Sequence, residues 1–257
     1  MQAREADWST GNFLNVHNSW HYALYLLQGG DVPGALSVYD RTLHHQDSED
    51  VAIELLDATA LLWRLHLEGT AVGDRWRPLA DAWTRSLSPG YYPFNDMHAA
   101  MAFIGAGDLA RARDLVAALE QFVEKANRAS TGWAMSSTVG LPICRGLVHF
   151  ADGAYEAVLD DLLPIRSGVH EFGGSHAQRD AVERTLLEAA IRAGRNEIAL
   201  ALVSERLGVR ESSTYTWSKR SEILASLSDV RAADLATARE KTLSAEIRTA
   251  AITAQIS

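Results

Sequence analysis

With one cysteine, Cys144, in 257 residues, the chain has no intrachain disulfide framework and no zinc site built on paired thiolates, and it suits a reducing, cytoplasmic compartment. Clustered basic charge is missing too. The formal net charge is -9, and no stretch of Lys and Arg offsets it, so nucleic acid and anionic membrane surfaces are not expected partners. Uninterrupted apolar runs of about 18 residues are absent. The nearest approach, VAIELLDATALLWRLHL (51–67), carries Glu54, Asp57, Arg64 and His66 and reads as an amphipathic helix. The opening MQAREADWSTGN lacks the basic and apolar regions of a secretory signal. Strand signals are nearly absent, with no sustained period-two alternation and no two-residue hairpin turn. A phosphate loop, a dinucleotide-binding glycine fingerprint and a G-x-S-x-G elbow are also missing.

What is present is helical and repetitive. Apolar residues make up 47% and charged residues 22%, enough to bury a sizeable core without low-complexity tracts between His17 and Arg206. Four segments share an apolar stretch, a Gly or Asp turn and a new helix opening: ALYLLQ-GGDVPGALSVY, AMAFIGA-GDLARARDLV, GLVHFA-DGAYEAVLDDL and EAAIRA-GRNEIALALV. Gly30, Gly107, Asp152 and Gly194 each precede an alanine by five, namely Ala35, Ala112, Ala157 and Ala199. The intervals between those alanines are 77, 45 and 42 residues (112 - 35, 157 - 112, 199 - 157), so the first leaves room for one divergent pair over 51–67 and 72–87. Units of this length are helix pairs, each needing stacked neighbours to cover its apolar face. The pattern predicts an all-α array of stacked antiparallel helix pairs over 1–228. The last stretch, 229–257, is rich in Ala, Glu and Arg with a thin apolar stripe, and is expected to be a loosely docked helical extension.

Three predicted first helices open with clustered polar residues: NVHNSWH (15–21), FNDMH (94–98) and GGSHAQRD (173–180). Residues three and four apart share a helix face, which makes His17 and His21 neighbours and groups His176 with Arg179 and Asp180. His21 and His98 both stand 14 residues before their repeat alanines, so in stacked repeats they should point the same way. Ser175 and Gln178 have capping-box spacing, which places His176 in a first turn whose free N–H groups attract an anion. The expectation is one concave pocket for a small anionic molecule. His17, His21, His98 and His176 would be its acid–base residues, and Asn15, Asn18, Trp20, Asn95, Arg179 and Asp180 its binding residues. A divalent metal such as zinc could sit on His17, His21 and His98, with Asp96 as fourth ligand or orienting an imidazole. Hydrolysis of an amide or ester is the reaction class that would follow. Two alternatives stay open: a groove that holds a peptide without turnover, and a scaffold whose polar residues only tie helices together. An i, i+4 His pair without the glutamate of H-E-x-x-H carries little information alone.

Other polar residues read as structural. His44 and His45 lie at a helix end, Glu49 and Asp50 at a helix start, and Asp160 and Asp161 on a solvated face. Cys144 reads as a buried inert thiol. His66, His149 and His170 have no partner motif.

Taken together, NFLNVHNSWHYALY, FNDMHAAMAFIGAG and GGSHAQRDAVERTLLEAAIRAGR resemble the tetratricopeptide repeat protein 38 family over about residues 11–210. The resemblance implies a tetratricopeptide-like α-α superhelix, and it makes Asn15, His17, Asn18, Trp20, His21, Asn95, Asp96, His98, His176, Arg179 and Asp180 signature positions. It implies no settled activity. Family members carry further helices before the NVHN motif, whereas this chain starts a few residues upstream of it. The expectation is therefore a homo-oligomer joined through the N-terminal helix pair, or a portion of a longer protein.

Overall fold

The computed structural model describes residues 14–256, with side chains through 250. Residues 1–13 of the expected first domain, including Asn12 and Phe13 of its NFLNVHNSWH motif, lie outside the described residues. Every regular element among the described residues is helical. In chain order these are α1 (Asn15–Gln28), α2 (Val32–Val38), α3 (Ala52–Leu67), α4 (Trp76–Ser86), α5 (Pro93–Gly105), α6 (Leu109–Lys125), α7 (Thr131–Met135), α8 (Leu141–Ala151), α9 (Tyr155–Leu162), α10 (His176–Arg192), α11 (Asn196–Val209), α12 (Thr214–Ser226) and α13 (Val230–Ile256). No helix among them is long and apolar enough to cross a membrane.

A recurrent turn produces the pairing. After α1, α5, α8 and α12 the chain enters the left-handed region at Gly30, Gly107, Gly153 and Ser228, with φ of 78°, 76°, 74° and 63°. The next N–H reaches back five residues: Asp31 to Leu26, Asp108 to Phe103, Ala154 to His149 and Asp229 to Leu224. This is the Schellman closure, which satisfies carbonyls that a helix end would otherwise leave bare. In three of these turns the following residue is an aspartate that caps the new helix: Asp31 accepts from Gly34, Asp108 from Arg111 and Asp229 from Ala232.

These turns correct the sequence reading twice. The third unit turns on Gly153, not Asp152, so its inward residue is the fully buried Val158 while Ala157 stays partly exposed. The pattern also continues into the stretch expected to be a loose extension, because Ser228 takes the left-handed position and Ala233, five residues on, is buried. Serine there hid the unit, since a side chain at positive φ is uncommon. The divergent pair expected between the first two units is present as α3 and α4.

The helices form two compact units, one running through His45 and resuming at Gly194, the other Gln46–Ala193. The sequence reading instead divided the chain at 228. In the first unit α13 packs on α12 and α1. Its thin stripe buries Ala233, Ala236 and Leu243, and polar contacts supplement it. Tyr25 donates to the Ile247 carbonyl at 3.0 Å, and Arg248 to that of Gly29 at 2.8 Å.

In the central unit α5 is the hub, packed against α3, α4, α6 and α8. Its residues from Pro93 to Ile104 are buried except Asn95. Small residues permit this closeness: a Cβ on Gly105 would lie 2.3 Å from the Trp76 ring. Helices α7 and α8 are joined by a widened π-helical segment, Ser136–Gly140. Pro142 accounts for it, because proline lacks the N–H and its ring crowds the carbonyl four residues back.

Candidate functional site

The candidate residues divide between the two units. Asn15, His17, Asn18, Trp20 and His21 lie on α1 of the first, while Asn95, Asp96 and His98 on α5 and His176, Arg179 and Asp180 on α10 belong to the central unit.

On α1, helical periodicity turns Trp20 and Ala23 inward, both fully buried, and leaves Asn15, His17, Asn18 and His21 half-buried. The Nε2 atoms of His17 and His21 stand 3.2 Å apart. A hydrogen bond of this kind needs one nitrogen carrying its hydrogen and one presenting a lone pair, so the rings share a single proton site. They meet edge to face at 4.7 Å between centroids, and the Trp20 ring lies 5.5 Å from His17 and 4.9 Å from His21. The predicted juxtaposition of the two imidazoles is present, on an aromatic floor.

The central unit is different, because its polar residues are mostly interior. Helix α3 is buried around nearly its whole circumference, including Asp57, Thr59 and Arg64. Its charges must therefore find partners. Arg64, 2% exposed, donates to the Ala60 carbonyl at 2.6 Å and to that of Ala177, and stands 3.6 Å from Asp180. Asp180 in turn accepts from Arg184 at 2.9 Å, and Arg184 reaches Glu68 at 3.1 Å. The chain of charges runs from the core to the more exposed Asp180 and Glu68, at 25% and 40%. The predicted capping box is present, and Gln178 does double duty: its Oε1 accepts from the Ser175 N–H, and its Nε2 donates to Asp57 at 2.9 Å. Two buried indoles complete the network, Trp63 donating to Thr185 at 2.9 Å and Trp83 to Thr59 at 2.8 Å.

His98 is fully buried, and its Nδ1 lies 2.8 Å from the Phe94 carbonyl. Nδ1 therefore donates, since a carbonyl only accepts, and the buried Nε2 has no hydrogen-bond partner. Burial, with the Arg64 charge assisting, lowers the pKa of His98 to about 4, although its bond to Phe94 acts the other way. Asp96 is also buried. Its Oδ2 accepts from the Gly90 N–H at 3.1 Å, while Oδ1 has no partner. Burial raises its pKa to about 7, and the Gly90 contact pulls the other way. Burial also pushes the Cys144 thiol well up, with the Asp96 charge adding to the effect. The thiol is buried, as expected for an inert cysteine.

This geometry corrects several expectations. Two residues apart on a helix, Asp96 and His98 point about 200° apart around the axis. One senses Cys144 of α8 and the other Arg64 of α3. Among the described residues no group of three His, Cys, Asp or Glu side chains is placed to hold a metal ion. Of the expected metal set, His17 and His21 belong to the first unit and His98 and Asp96 to the central one, where the latter two face opposite sides of α5. Arg179 donates through one guanidinium nitrogen to the Gly173 carbonyl at 3.0 Å and to that of Gly174, clamping the loop before α10. His176 is exposed, its Nδ1 3.4 Å from Arg179. Within this unit His98 and Asp180 do converge, both through Arg64.

Asp161 is no solvated residue. It is 7% exposed and accepts from Arg145 at 2.7 Å and from His149 at 2.8 Å. His66 stacks on Trp63 at 4.9 Å, and burial lowers its pKa, with Arg192 contributing. Asp50 stands just before α3, as expected, but Val51 is the N-cap residue: Asp50 has a φ of 56° and pairs with Arg85 at 2.6 Å. Sequence reasoning missed Asp57, Arg64 and Arg184 as the network's centre. The signal was available, since Asp57 and Arg64 stand seven residues apart on a helix otherwise apolar all round.

No protein-family model matches this chain, and no solved structure matches it.

Proposed function

We propose that this chain is a tetratricopeptide-like helical repeat protein, akin to the tetratricopeptide repeat protein 38 family, that binds a small molecule at the polar face of α1. The His17–His21 pair supplies acid–base chemistry there. The observation that carries this reading is the 3.2 Å contact between the two Nε2 atoms on a half-buried surface. One imidazole can donate a proton while the other accepts one, which is what opening an amide or ester with an activated water requires. Asn15 and Asn18 add amide donors and acceptors on the same helix, and Trp20 supplies a flat wall beside both rings.

The test uses p-nitrophenyl acetate as an activated ester in buffer containing EDTA. Hydrolysis by the wild-type protein should exceed that of His17→Gln and of His21→Gln by at least about tenfold, within the range expected of a positioned acid or base. Equal rates in all three proteins would refute acid–base chemistry at the pair.

A second reading applies to the central unit. Because Arg179, Gln178, Asp180 and Arg64 are occupied with carbonyls, carboxylates and one another, FNDMH and GGSHAQRD act there as a scaffold. Substitutions in this unit should lower stability and leave the α1 chemistry unchanged.

A further inference from the structure

We infer that the His17–His21 pair is a two-point chelate for a divalent late first-row transition metal, leaving the ion's remaining positions for water or a ligand oxygen. This rests on the reading of the pair as the chain's reactive centre, and it names the species that the centre takes.

Zinc–imidazole bonds of about 2.0–2.1 Å place two tetrahedral nitrogens about 3.3 Å apart, and a right-angled arrangement places them about 2.9 Å apart. The observed separation of 3.2 Å lies between these values. The same ring positions that share a hydrogen can therefore share an ion with little movement. The donating ring shifts its hydrogen from Nε2 to Nδ1, and both Nε2 lone pairs then face the metal, each imidazole remaining neutral. Four-residue spacing on one helix holds the two donors in register, so the chelate is largely formed before the ion arrives. Trp20, fully buried beneath both rings, restricts how far they can swing apart. Two imidazoles without a thiolate suit copper(II), nickel(II) and zinc(II) and give no hold on calcium or magnesium, which prefer oxygen. Two imidazoles fill only two positions of a four-coordinate ion, so the others fall to exchangeable ligands, which a catalytic metal needs and a closed structural site lacks.

Copper(II) and zinc(II) salts are the probes, used on the full chain after treatment with EDTA and desalting. One equivalent of copper(II) should give an electron paramagnetic resonance signal split by two imidazole nitrogens. It should also quench part of the tryptophan fluorescence, and that part should vanish in Trp20→Phe, because this indole lies within 5.5 Å of both rings. Zinc(II) should displace the copper(II). In His17→Gln and in His21→Gln the affinity should fall at least tenfold, while His170→Gln, at an exposed position, should match wild type. Copper(II) bound equally by both variants, or a signal showing a single imidazole, would overturn the inference. If a variant fails to fold, nitrogen-15 spectra of the wild-type histidines decide: zinc(II) must move the Nε2 resonances of His17 and His21, and no movement overturns the chelate. Ester hydrolysis in EDTA is measured without metal, so failure of the chelate and failure of the acid–base reading give different results.

Discussion

Asp96→Asn should make the protein more stable at pH 8 and confer no such advantage at pH 4.5. The buried carboxyl of Asp96 has its pKa raised from 3.8 to about 7, chiefly by burial. At pH 4.5 and below, the folded chain holds this proton at little cost. As pH rises from about 4 to about 7 the unfolded chain releases the proton while the folded chain keeps it, so stability is lost across this window and is level above it. The difference of about 3 pH units corresponds to about 4 kcal/mol. Asparagine cannot ionise, and its side-chain oxygen can still accept from the Gly90 N–H that Asp96 now uses. Its amide brings N–H donors into the core, at a cost of about 1–3 kcal/mol if they find no acceptor. The advantage expected at pH 8 is therefore about 1–3 kcal/mol, and it should shrink or reverse at pH 4.5. Urea unfolding followed by far-ultraviolet circular dichroism, run on both proteins at both pH values, measures the change. Surface carboxylates and His98 titrate in both proteins and cancel in the difference. If that difference moves by less than about 1 kcal/mol between the two pH values, burial does not control the Asp96 proton as described here.

His98 has the opposite sign. Its pKa is lowered from 6.5 to about 4, so the stability that it contributes is present above pH 6.5 and is lost as pH falls toward 4. Replacing it with leucine should flatten the acid side of the stability profile by about 3 kcal/mol, read from urea titrations at pH 7.5 and 4.5. Arg64→Met strips the Ala60 and Ala177 carbonyls of their donor and Asp180 of one partner. A loss of about 3–5 kcal/mol is expected, with unchanged p-nitrophenyl acetate hydrolysis per folded molecule, whereas a loss of hydrolysis would tie the central network to the chemistry. Gly174→Ala would place a Cβ 2.3 Å from the Phe94 ring at a φ of 74°, so thermal melting should fall by several degrees while Gly208→Ala, whose Cβ meets open space, should not lower it.

Local chemistry made much of the architecture legible. The Gly-Asp pairs at Gly30-Asp31 and Gly107-Asp108 announce a helix end and a helix start together, because left-handed backbone favours glycine and bare N–H groups favour a short carboxylate. The capping box of Ser175 and Gln178 and the contact between His17 and His21 were readable for the same reason: each depends only on residues within one helical turn. Ser228 was hidden because the turn accepts a strained serine, and Gly153 was misread by one residue because Asp152 also looks like a turn former.

The sequence by itself determined which segments are helical, where they turn, and which side chains share a face, since those properties are set by neighbours within about four residues. Tertiary structure alone decided what the polar residues do. Packing α5 against α3 and α8 sealed His98 and Asp96, which helical spacing sets on opposite sides, in the core and shifted their protonation in opposite directions. Docking α10 on α3 drew Asp180 to Arg64 and Gln178 to Asp57, more than a hundred residues apart in the chain. Burial and long-range pairing depend on which helices meet, and no local spacing encodes that.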